Sequence, residues 1–363
     1  MSKNYLYVNG QSISVGENNC TFNASRTEPM LEKLDSYVFS IIRASLDGMK
    51  LPVFIPKMNY NSANPNDTAY KIVVKAVING QTYYNSEASQ TIQFSNNYGV
   101  VSPSVVPVSQ QLVCINPYYW TYDLFDVLEM FNNAINNVWT DIKNQIEGYT
   151  VLTLPPKLTV NGNLFSMMFD KRGFTNELGE VGTSTTEAFY ISFNDDLRNI
   201  FRTFQYRYNF NVDAQLLSNI ILLNNAFSET TYNSISYIVA SQSYPSMSIL
   251  SPVENIVFFS QNGDYKSEIN NYPNVLNSSN PFVSMSSAIE NQITDIDLDA
   301  ENPMDYSNVV IYDPKTLREI NITNTSMLQN INIVVKWRNR FGDIFDVVMR
   351  DGSSMNIKLK YSK

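Results

Sequence analysis

Four acidic residues at alternate positions form the first arrangement in this sequence that could carry chemistry. The stretch TDIDLDAENPMD contains them as Asp295, Asp297, Asp299 and Glu301. In an extended segment all four side chains point the same way, and calcium prefers carboxylate oxygens as ligands. Counted from Asp295 as position 1, the sequence departs from an EF-hand loop. Position 6 is Ala300 instead of glycine, and position 12 is Tyr306 instead of glutamate. We therefore prefer a solvated acidic strand or loop and expect no metal, with calcium binding as the alternative.

Paired carboxylates are the second arrangement that could act in catalysis. The chain has no histidine, which excludes Ser-His-Asp and Cys-His catalysis, His-ligated zinc and imidazole acid–base chemistry. Glycoside hydrolysis needs only two carboxylates, and the nearest candidates are Glu177 with Glu180 and Asp195 with Asp196. Any chain with 34 acidic residues offers such pairs. We therefore predict a protein that is not an enzyme, with no catalytic residue and no cofactor.

Basic residues are concentrated near the end of a chain that is acidic as a whole. The chain has 25 Lys and Arg against 34 Asp and Glu, a net charge of −9, whereas residues 331–363 contain seven basic and three acidic residues. Four of these cations lie at polar positions of predicted strands and are expected to form a basic face: Lys336, Arg338, Lys358 and Lys360. Such a face would bind nucleic acid or an acidic neighbouring subunit. The preferred alternative is a solvated face whose lysines discourage edge-to-edge strand pairing.

Aromatic residues supply candidate contacts with a partner. The cluster in NPYYWTYDLF suits a sugar or peptide platform, a subunit contact, or the buried entry to a helix. In WRNRFGDIFDV, residues 339–343 are predicted to form a corner, since Gly342 allows positive φ and Asp343 can close it with a side-chain bond. Together the cluster and the corner give the interface candidates Tyr118, Tyr119, Trp120, Arg340 and Phe341.

Many strands and two helices must position these residues. Residues 121–142 repeat apolar side chains at steps of three and four, which predicts an amphipathic helix that begins near Thr121 or Asp123. A shorter helix is predicted over 194–204. Elsewhere short runs of β-branched and aromatic residues alternate with Asn- and Ser-rich loops. Asn79-Gly80 between two such runs predicts a hairpin, because a type I′ turn needs positive φ at both central positions.

This pattern predicts a mainly β protein, an antiparallel β-sandwich or jelly roll with two short helical insertions. Three regions are expected: an N-terminal β region over 1–115, a helix-containing insertion over 116–205, and a C-terminal β region over 206–363 that closes the sandwich. One jelly-roll domain with loop insertions is the alternative. Cys20 and Cys114 either form one disulfide or remain as two buried free thiols.

Three stretches resemble virion proteins of icosahedral viruses. VVIYDPKTLREINITNTSMLQNINIVVKWRNRFGDIFDVVMRDGSSMNIKLKYS is similar to their C-terminal end, YVFSIIRASLDGMKLPVFIP is similar to an early strand and corner, and DLFDVLEMFNNAINNVW is a helix in the expected place. The resemblance implies a minor or penton-like jelly-roll capsid protein of the virophage or polinton-like type. It implies localisation in the virion and partners that are other capsid subunits and copies of the chain itself, as a homo-oligomer such as a pentamer.

The other features of the sequence agree with this class of protein. Hydrophobic content of 44% excludes a disordered chain. There is no apolar signal segment and no apolar run near 18 residues, so we expect synthesis in the host cytoplasm and no membrane span. Contact with nucleic acid stays open at this point. Two rival functions are a receptor- or glycan-binding spike or tail fibre, and a histidine-free polysaccharide hydrolase.

Overall fold

The chain folds into two compact units. Unit 1 combines the described residues up to Leu51 with those from Pro252 onward, and unit 2 is the stretch Pro52–Ser251 between them. The structure is a computed structural model, and it describes residues 5–33, 37–96, 98–146, 149–162, 164–174, 187–210, 216–220, 227–246, 250–260, 291–298, 309–322 and 327–363.

The elements follow one another in an order dominated by strands. Unit 1 begins with β1 Tyr5–Ile13, β2 Asn18–Asn19, β3 Thr21–Ser25, β4 Val38–Asp47 and β5 Met49–Lys50. The first half of unit 2 contains β6 Asp67–Ile78, β7 Gln81–Tyr84, α1 Glu87–Gln90, β8 Thr91–Gln93, α2 Gln110–Ile115, a 3-10 turn Pro117–Tyr119, and α3 Leu124–Gln145.

The second half of unit 2 contains β9 Lys157–Asn161, β10 Leu164–Asp170, β11 Glu187–Phe193, α4 Asp195–Ile200, β12 Tyr206–Phe210, β13 Leu216–Ile220, β14 Phe227–Tyr232 and β15 Ile235–Ser241. Unit 1 then resumes with β16 Val253–Ser260, β17 Asn291–Asp297, β18 Val309–Tyr312, β19 Ile320–Asn321, β20 Asn330–Asn339, β21 Ile344–Asp346, β22 Val348–Met349 and β23 Ser354–Ser362.

Unit 1 is built from two larger antiparallel sheets and a small one. The first sheet has the order β1-β23-β4-β18 with β19 beside β4, and the second has the order β17-β16-β20-β21 with β3 beside β20. The small sheet has the order β2-β22-β5. The two larger sheets meet through their inner side chains: the rings of Phe258 on β16 and Tyr312 on β18 lie 6.2 Å apart. Unit 1 is therefore a β-sandwich.

Unit 2 has two further antiparallel sheets and the long helix α3. Their strand orders are β14-β15-β10-β9 and β12-β13-β11-β6-β7, with β8 beside β6. The apolar side of α3 is buried, and its Trp139 lies 4.4 Å from the ring of Phe189 on β11. Phe131 on the same helix lies 5.2 Å from the ring of Phe201. The helix thus completes the core of a unit that is otherwise made of sheets.

The fold class predicted from the sequence is confirmed. Asn79 and Gly80 have φ of 50° and 82°, and they join β6 to β7 as the hairpin signal predicts. The predicted long helix is α3, whose N-cap Asp123 accepts a hydrogen bond from the N–H of Phe125 at 2.8 Å. The predicted helix over 194–204 forms only over Asp195–Ile200, because the buried Phe201 departs from helical geometry.

The division into three regions at residues 115 and 205 stays a prediction.

Among the described residues, no helix is long and apolar enough to cross a membrane.

Candidate functional site

The tyrosine and tryptophan cluster belongs to the core of unit 2. The side chains of Tyr118, Tyr119 and Trp120 are 5%, 0% and 9% exposed. Each polar end has a partner within the fold: the Tyr119 hydroxyl donates to the carbonyl of Pro65 at 2.9 Å, and Trp120 Nε1 donates to the carbonyl of Cys114 at 3.0 Å. The expectation that these three residues contact a partner is therefore corrected, because their rings and polar atoms are both occupied.

The corner at residues 339–343 lies where it was predicted, but the side chain that holds most of its hydrogen bonds is Asn339 and not Asp343. The buried Asn339 side chain accepts hydrogen bonds from the N–H groups of Phe341 and Asp343, both at 2.9 Å, and donates to Asp343 Oδ2 at 3.0 Å. Gly342 has φ of 86°, as the prediction requires. Arg340 lies over the ring of Phe341 at 5.3 Å, and Phe341 is 40% exposed. These two residues are exposed as predicted, and their contact with a neighbouring subunit stays a prediction.

The four cations of the predicted basic face do not share one face. Arg338 is only 3% exposed and donates to Gln292 Oε1 at 3.1 Å, so its predicted exposure is wrong. Lys336 is half-buried beside Asp346, with 3.9 Å between the charged atoms. Both faces of β20 are largely covered from Ile331 to Asn339, where seven residues are buried and two, Asn332 and Lys336, are half-buried. Alternation of polar and apolar residues along β20 therefore does not mark a solvent-exposed face.

Lys358 and Lys360 lie on β23, in the other large sheet of unit 1. Their Nζ atoms lie over aromatic rings of the neighbouring strand β1, at 5.4 Å from the ring centre of Tyr7 and 4.8 Å from that of Tyr5. Of the predicted set, Lys358, which is exposed, and Lys360, which is half-buried, therefore lie together on the outer face of one sheet.

The acidic candidates occupy places typical of structural charges. Asp295 on β17 forms an ion pair with Arg318 at 3.3 Å, and Asp297 is exposed at the end of the strand. Asp299 and Glu301 lie outside the described residues, as do Glu177 and Glu180. Within the described part of the chain, no three His, Cys, Asp or Glu residues are grouped as metal ligands. Calcium binding at 295–301 thus stays an untested alternative.

The carboxylates of the second predicted pair each have a basic partner. Asp195 lies 3.4 Å from Arg198 within α4, and Asp196 lies 2.5 Å from Lys57. Both are in the first turn of α4, where acids stabilise the positive end of a helix. Their geometry is therefore explained without catalysis.

Sequence reasoning missed a buried carboxylate in unit 2. Glu187 on β11 is 1% exposed, and it accepts hydrogen bonds from the N–H of Leu152 at 2.8 Å, the N–H of Thr153 at 3.0 Å and the hydroxyl of Tyr149 at 2.9 Å. Burial alone would raise its pKa, but these bonds together hold the pKa below its usual value. The only hint in the sequence is the acidic residue at the head of the apolar run EAFYISF.

A second buried carboxylate lies nearby in the same unit. Asp170 at the end of β10 is fully buried, and it accepts a hydrogen bond from the N–H of Leu154 at 2.8 Å. Its carboxylate also pairs with Arg172, with 2.6 Å between Nη2 and Oδ2. Both carboxylates therefore anchor the segment 149–154 to strands, and neither is left with an open position for a ligand.

Among the described residues of unit 2, residues 99–108 carry several exposed valines, and we call this stretch the valine segment. It has no regular secondary structure, and its two prolines cannot donate to a sheet. Val101, Val105 and Val108 are 87%, 71% and 75% exposed, whereas Val106 is buried. Scattered single apolar residues are common on surfaces, but a contiguous group indicates an interaction site.

The start of the valine segment lies beside helix α3. Tyr98 precedes it and packs edge-on against Tyr122 with 5.0 Å between ring centres, while its hydroxyl donates to Asp126 of α3. Phe125 in the same first turn of α3 is 70% exposed. The valine segment therefore starts beside the first turn of α3, which carries an exposed aromatic ring of its own.

These features define a class: a mainly β structural protein with satisfied buried charges and exposed apolar segments suited to association. The comparisons with known proteins agree. The family model of the Sputnik minor capsid protein V18/19 matches residues 4–363, so the chain belongs to that family.

Similar proteins come from virophages. The chain is 28% identical over 122 residues to the protein designated uncharacterized protein V18 of Sputnik virophage, which covers 33% of this chain and 71% of that protein. A chain in the 3.5 Å cryo-EM structure of the Sputnik virophage has a TM-score of 0.72 at 19% identity, covering 98% of this chain and 97% of that one. The mavirus penton protein has a TM-score of 0.59 at 17% identity, covering 99% and 100%.

Family membership fixes the general role. The chain is a minor capsid protein, a structural component of the virion that assembles with other capsid subunits. It is not an enzyme, since its family consists of structural capsid proteins. The polysaccharide hydrolase considered from the sequence is therefore set aside.

Proposed function

We propose that the chain is a penton-like subunit that associates with four further copies of itself into a closed ring. The observation that carries this proposal is the likeness to the mavirus penton protein, which extends over 99% of this chain. The mavirus protein has structurally equivalent residues for nearly the whole chain, and not only for one of its β-sandwiches. A jelly roll by itself is shared by many capsid proteins, so the extent of the likeness is what favours this particular role.

The valine segment supports self-association in unit 2. A ring that closes by rotation buries one surface of each subunit against a different surface of the next. Val101, Val105 and Phe125 are each at least 70% exposed in the single chain, and a neighbouring copy would remove them from water. Burial of a valine side chain stabilises by about 1.5–3 kcal/mol, so a few such residues make a substantial contribution to a ring.

The exposed corner of unit 1 is the second proposed contact. Phe341 and Arg340 form one flat aromatic and cationic surface, with 5.3 Å between the guanidinium carbon and the ring centre. Aromatic residues and arginine are enriched at protein interfaces. The corner is rigid because Asn339 holds its backbone from beneath, and a rigid contact loses little entropy on association.

Native mass spectrometry of the purified chain, with electron microscopy of the same sample, tests the proposal. We expect a concentration-dependent pentamer and five-fold class averages. Val101→Asp with Val105→Asp should shift the population to monomer without changing the circular dichroism spectrum. Tyr244→Asp is the matched control, since Tyr244 is 72% exposed in unit 2 and lies outside the valine segment. A monomer at every concentration, or a trimer as in a fibre protein, would overturn the proposal.

A further inference from the structure

Arg43 faces solvent because strand β4 contains a β-bulge. In the pairing of β4 with β23, Leu359 lies opposite the buried Ile41, whereas the next residue, Lys358, lies opposite Arg43. Ile42 is the extra residue between them. Side chains alternate along a strand, so without this insertion Arg43 would point into the core as Ile41 does. The bulge reverses the alternation and turns the arginine outward.

The bulge brings like charges together. Arg43 and Lys358 occupy directly opposite positions, and Lys360 follows two residues along β23 on the same face. We call these three residues the basic strip. Like charges directly opposite each other destabilise a sheet. None of the three forms an ion pair with a residue that the structure describes, so no acidic side chain in the described part of the chain compensates this repulsion.

The nearest acidic side chain on this face of β4 is already engaged. Asp47 lies at the end of the strand, and its carboxylate accepts hydrogen bonds from the N–H and the hydroxyl of Ser354. Around the basic strip the outer face carries the neutral polar residues Asn9, Gln11, Ser45 and Asn356, whereas the exposed apolar residues Val309 and Ile311 lie farther away, on β18 beyond β4. Amides and hydroxyls can both donate and accept hydrogen bonds. The part of the face formed by β1 and β23 is thus cationic and hydrogen-bonding.

Two exposed tyrosines complete the face. Tyr5 and Tyr7 lie on β1, which pairs with β23 so that Tyr7 is opposite Lys360. Their rings are 6.2 Å apart with planes inclined by 27°, and they are 43% and 51% exposed. The lysine ammonium groups lie close to these rings, so the cations and the aromatic surfaces are adjacent.

We propose that this face of unit 1 binds a single-stranded segment of nucleic acid. The basic strip contacts the phosphates, and Tyr5 and Tyr7 provide surfaces on which bases stack. Proteins that bind single strands without sequence preference combine these two features. An acidic protein partner would need only the cations. The paired exposed tyrosine rings beside the cations favour nucleic acid instead, because it has both regularly spaced phosphates and flat bases.

Fluorescence anisotropy with a labelled oligothymidylate tests the proposal on the full chain. We expect binding at low salt, with the logarithm of the association constant falling against that of salt concentration with a slope of about −2, as three phosphate contacts give. Lys358→Glu with Lys360→Glu should abolish binding. Tyr5→Ala with Tyr7→Ala should weaken it about tenfold or more while the salt slope is kept. Lys71→Glu with Lys75→Glu on β6 is the control and should bind as the wild type does.

Arg43→Gln separates a binding role from a structural one. Removing one of two opposed like charges should raise the thermal midpoint of the protein, and it should also lower the affinity for oligothymidylate and make the salt slope shallower. A variant that lost both stability and affinity would show that Arg43 serves the fold.

Competition identifies the class of ligand. We expect oligothymidylate to compete better than duplex DNA, polyglutamate or vesicles containing phosphatidylserine. The proposal fails if oligothymidylate does not bind at low salt, if the tyrosine variant binds unchanged, or if polyglutamate or the vesicles bind more tightly. All variants are first compared with the wild type by circular dichroism and by native mass spectrometry, so that a loss of folding or of assembly is recognised separately.

Discussion

The carboxylate of Glu187 accepts hydrogen bonds from both the N–H and the hydroxyl of Thr153, in a position closed to solvent. Together with the bond from Leu152, this contact joins strand β11 to a segment that has no regular secondary structure. Each of these bonds has a charged acceptor, and such bonds contribute more than bonds between neutral groups. Glu187 therefore accepts four of the hydrogen bonds that hold the segment 149–154, and Asp170 accepts a fifth from Leu154.

Replacing Glu187 by glutamine should destabilise unit 2. Glutamine keeps the shape of the side chain and loses the charge, and its amide group places a donor opposite the N–H donors of Leu152 and Thr153. We expect a loss of about 3 kcal/mol in the free energy of unfolding, since bonds to charged groups contribute about 1.5–3 kcal/mol each. Urea titration followed by circular dichroism measures it. Glu254→Gln, at an exposed position, is the control and should leave the midpoint unchanged.

The same group makes stability depend on pH. The pKa of Glu187 is lowered in the folded protein, so its contribution is fully present above the unfolded pKa of about 4.3 and is lost as the pH falls through the folded value. The difference in unfolding free energy between wild type and Glu187→Gln should therefore shrink as the pH is lowered below about 4. A difference that stayed constant with pH would show that the charge of Glu187 is not what stabilises the segment.

Gly173 should tolerate alanine poorly because of its neighbours. A Cβ atom there would lie 2.2 Å from Thr153 Oγ1 and 2.8 Å from a ring carbon of Phe189. We expect a cost of about 2 kcal/mol from overpacking, and the displaced Thr153 should weaken its bond to Glu187. The cost should thus be smaller in the Glu187→Gln background, which a double-mutant cycle measures. Gly80→Ala, with φ of 82° but no atom within 4 Å, should cost about 1 kcal/mol in both backgrounds.

The corner of unit 1 should depend on Asn339 more than on Asp343. Asn339→Ala removes two acceptor bonds and one donor bond at a fully buried position, and we expect it to cost about 2–3 kcal/mol. Asp343→Ala removes one side-chain bond and should cost about 1 kcal/mol. Thermal unfolding of the two variants decides the order. Equal costs would mean that the turn is held by Gly342 and the flanking strands alone.

Both cysteine thiols should be unreactive in the native protein. Cys20 and Cys114 are fully buried and are not joined in a disulfide, and burial raises the pKa of Cys20 to about 12. At pH 8 an aromatic disulfide reagent should therefore modify neither thiol quickly, because the thiolate is the reacting form. In urea two thiols per chain should react. Fast modification of the native protein, or fewer than two thiols in urea under non-reducing conditions, would contradict this.

Local signals in the sequence predicted local structure well. The apolar stripe of α3, its Asp123 cap and the Asn79-Gly80 turn depend on residues within a few positions of each other, and all three are confirmed. Alternation along β23 also predicted correctly that Lys358 and Lys360 lie outside the core. In each case the feature is determined by residues within a single helix, strand or turn.

Properties that depend on distant partners could not be predicted. Alternation places Arg338 on a polar face, but its burial depends on residues distant in the chain, such as Gln292 of β17, to which it donates a hydrogen bond. Tyr118 and Tyr119 are buried because the loop at residues 59–67 lies across their hydroxyls. The outward position of Arg43 depends on a bulge that only the register with β23 defines.

The course of the chain through unit 1 has a consequence for how the protein folds. Tyr5 pairs with Ser362 in the sheet that contains β1 and β23, whereas every strand of unit 2 pairs with another strand inside one continuous stretch. Pairing strands that are far apart in the chain closes a long loop, which costs conformational entropy before stabilising contacts form. Sheets made of such strands therefore form slowly. Unit 2 should thus reach its native state first during refolding, with the β1–β23 pairing as the late and rate-limiting event. Until then the edges of unit 1 are open to mispairing, so yield should depend on dilution.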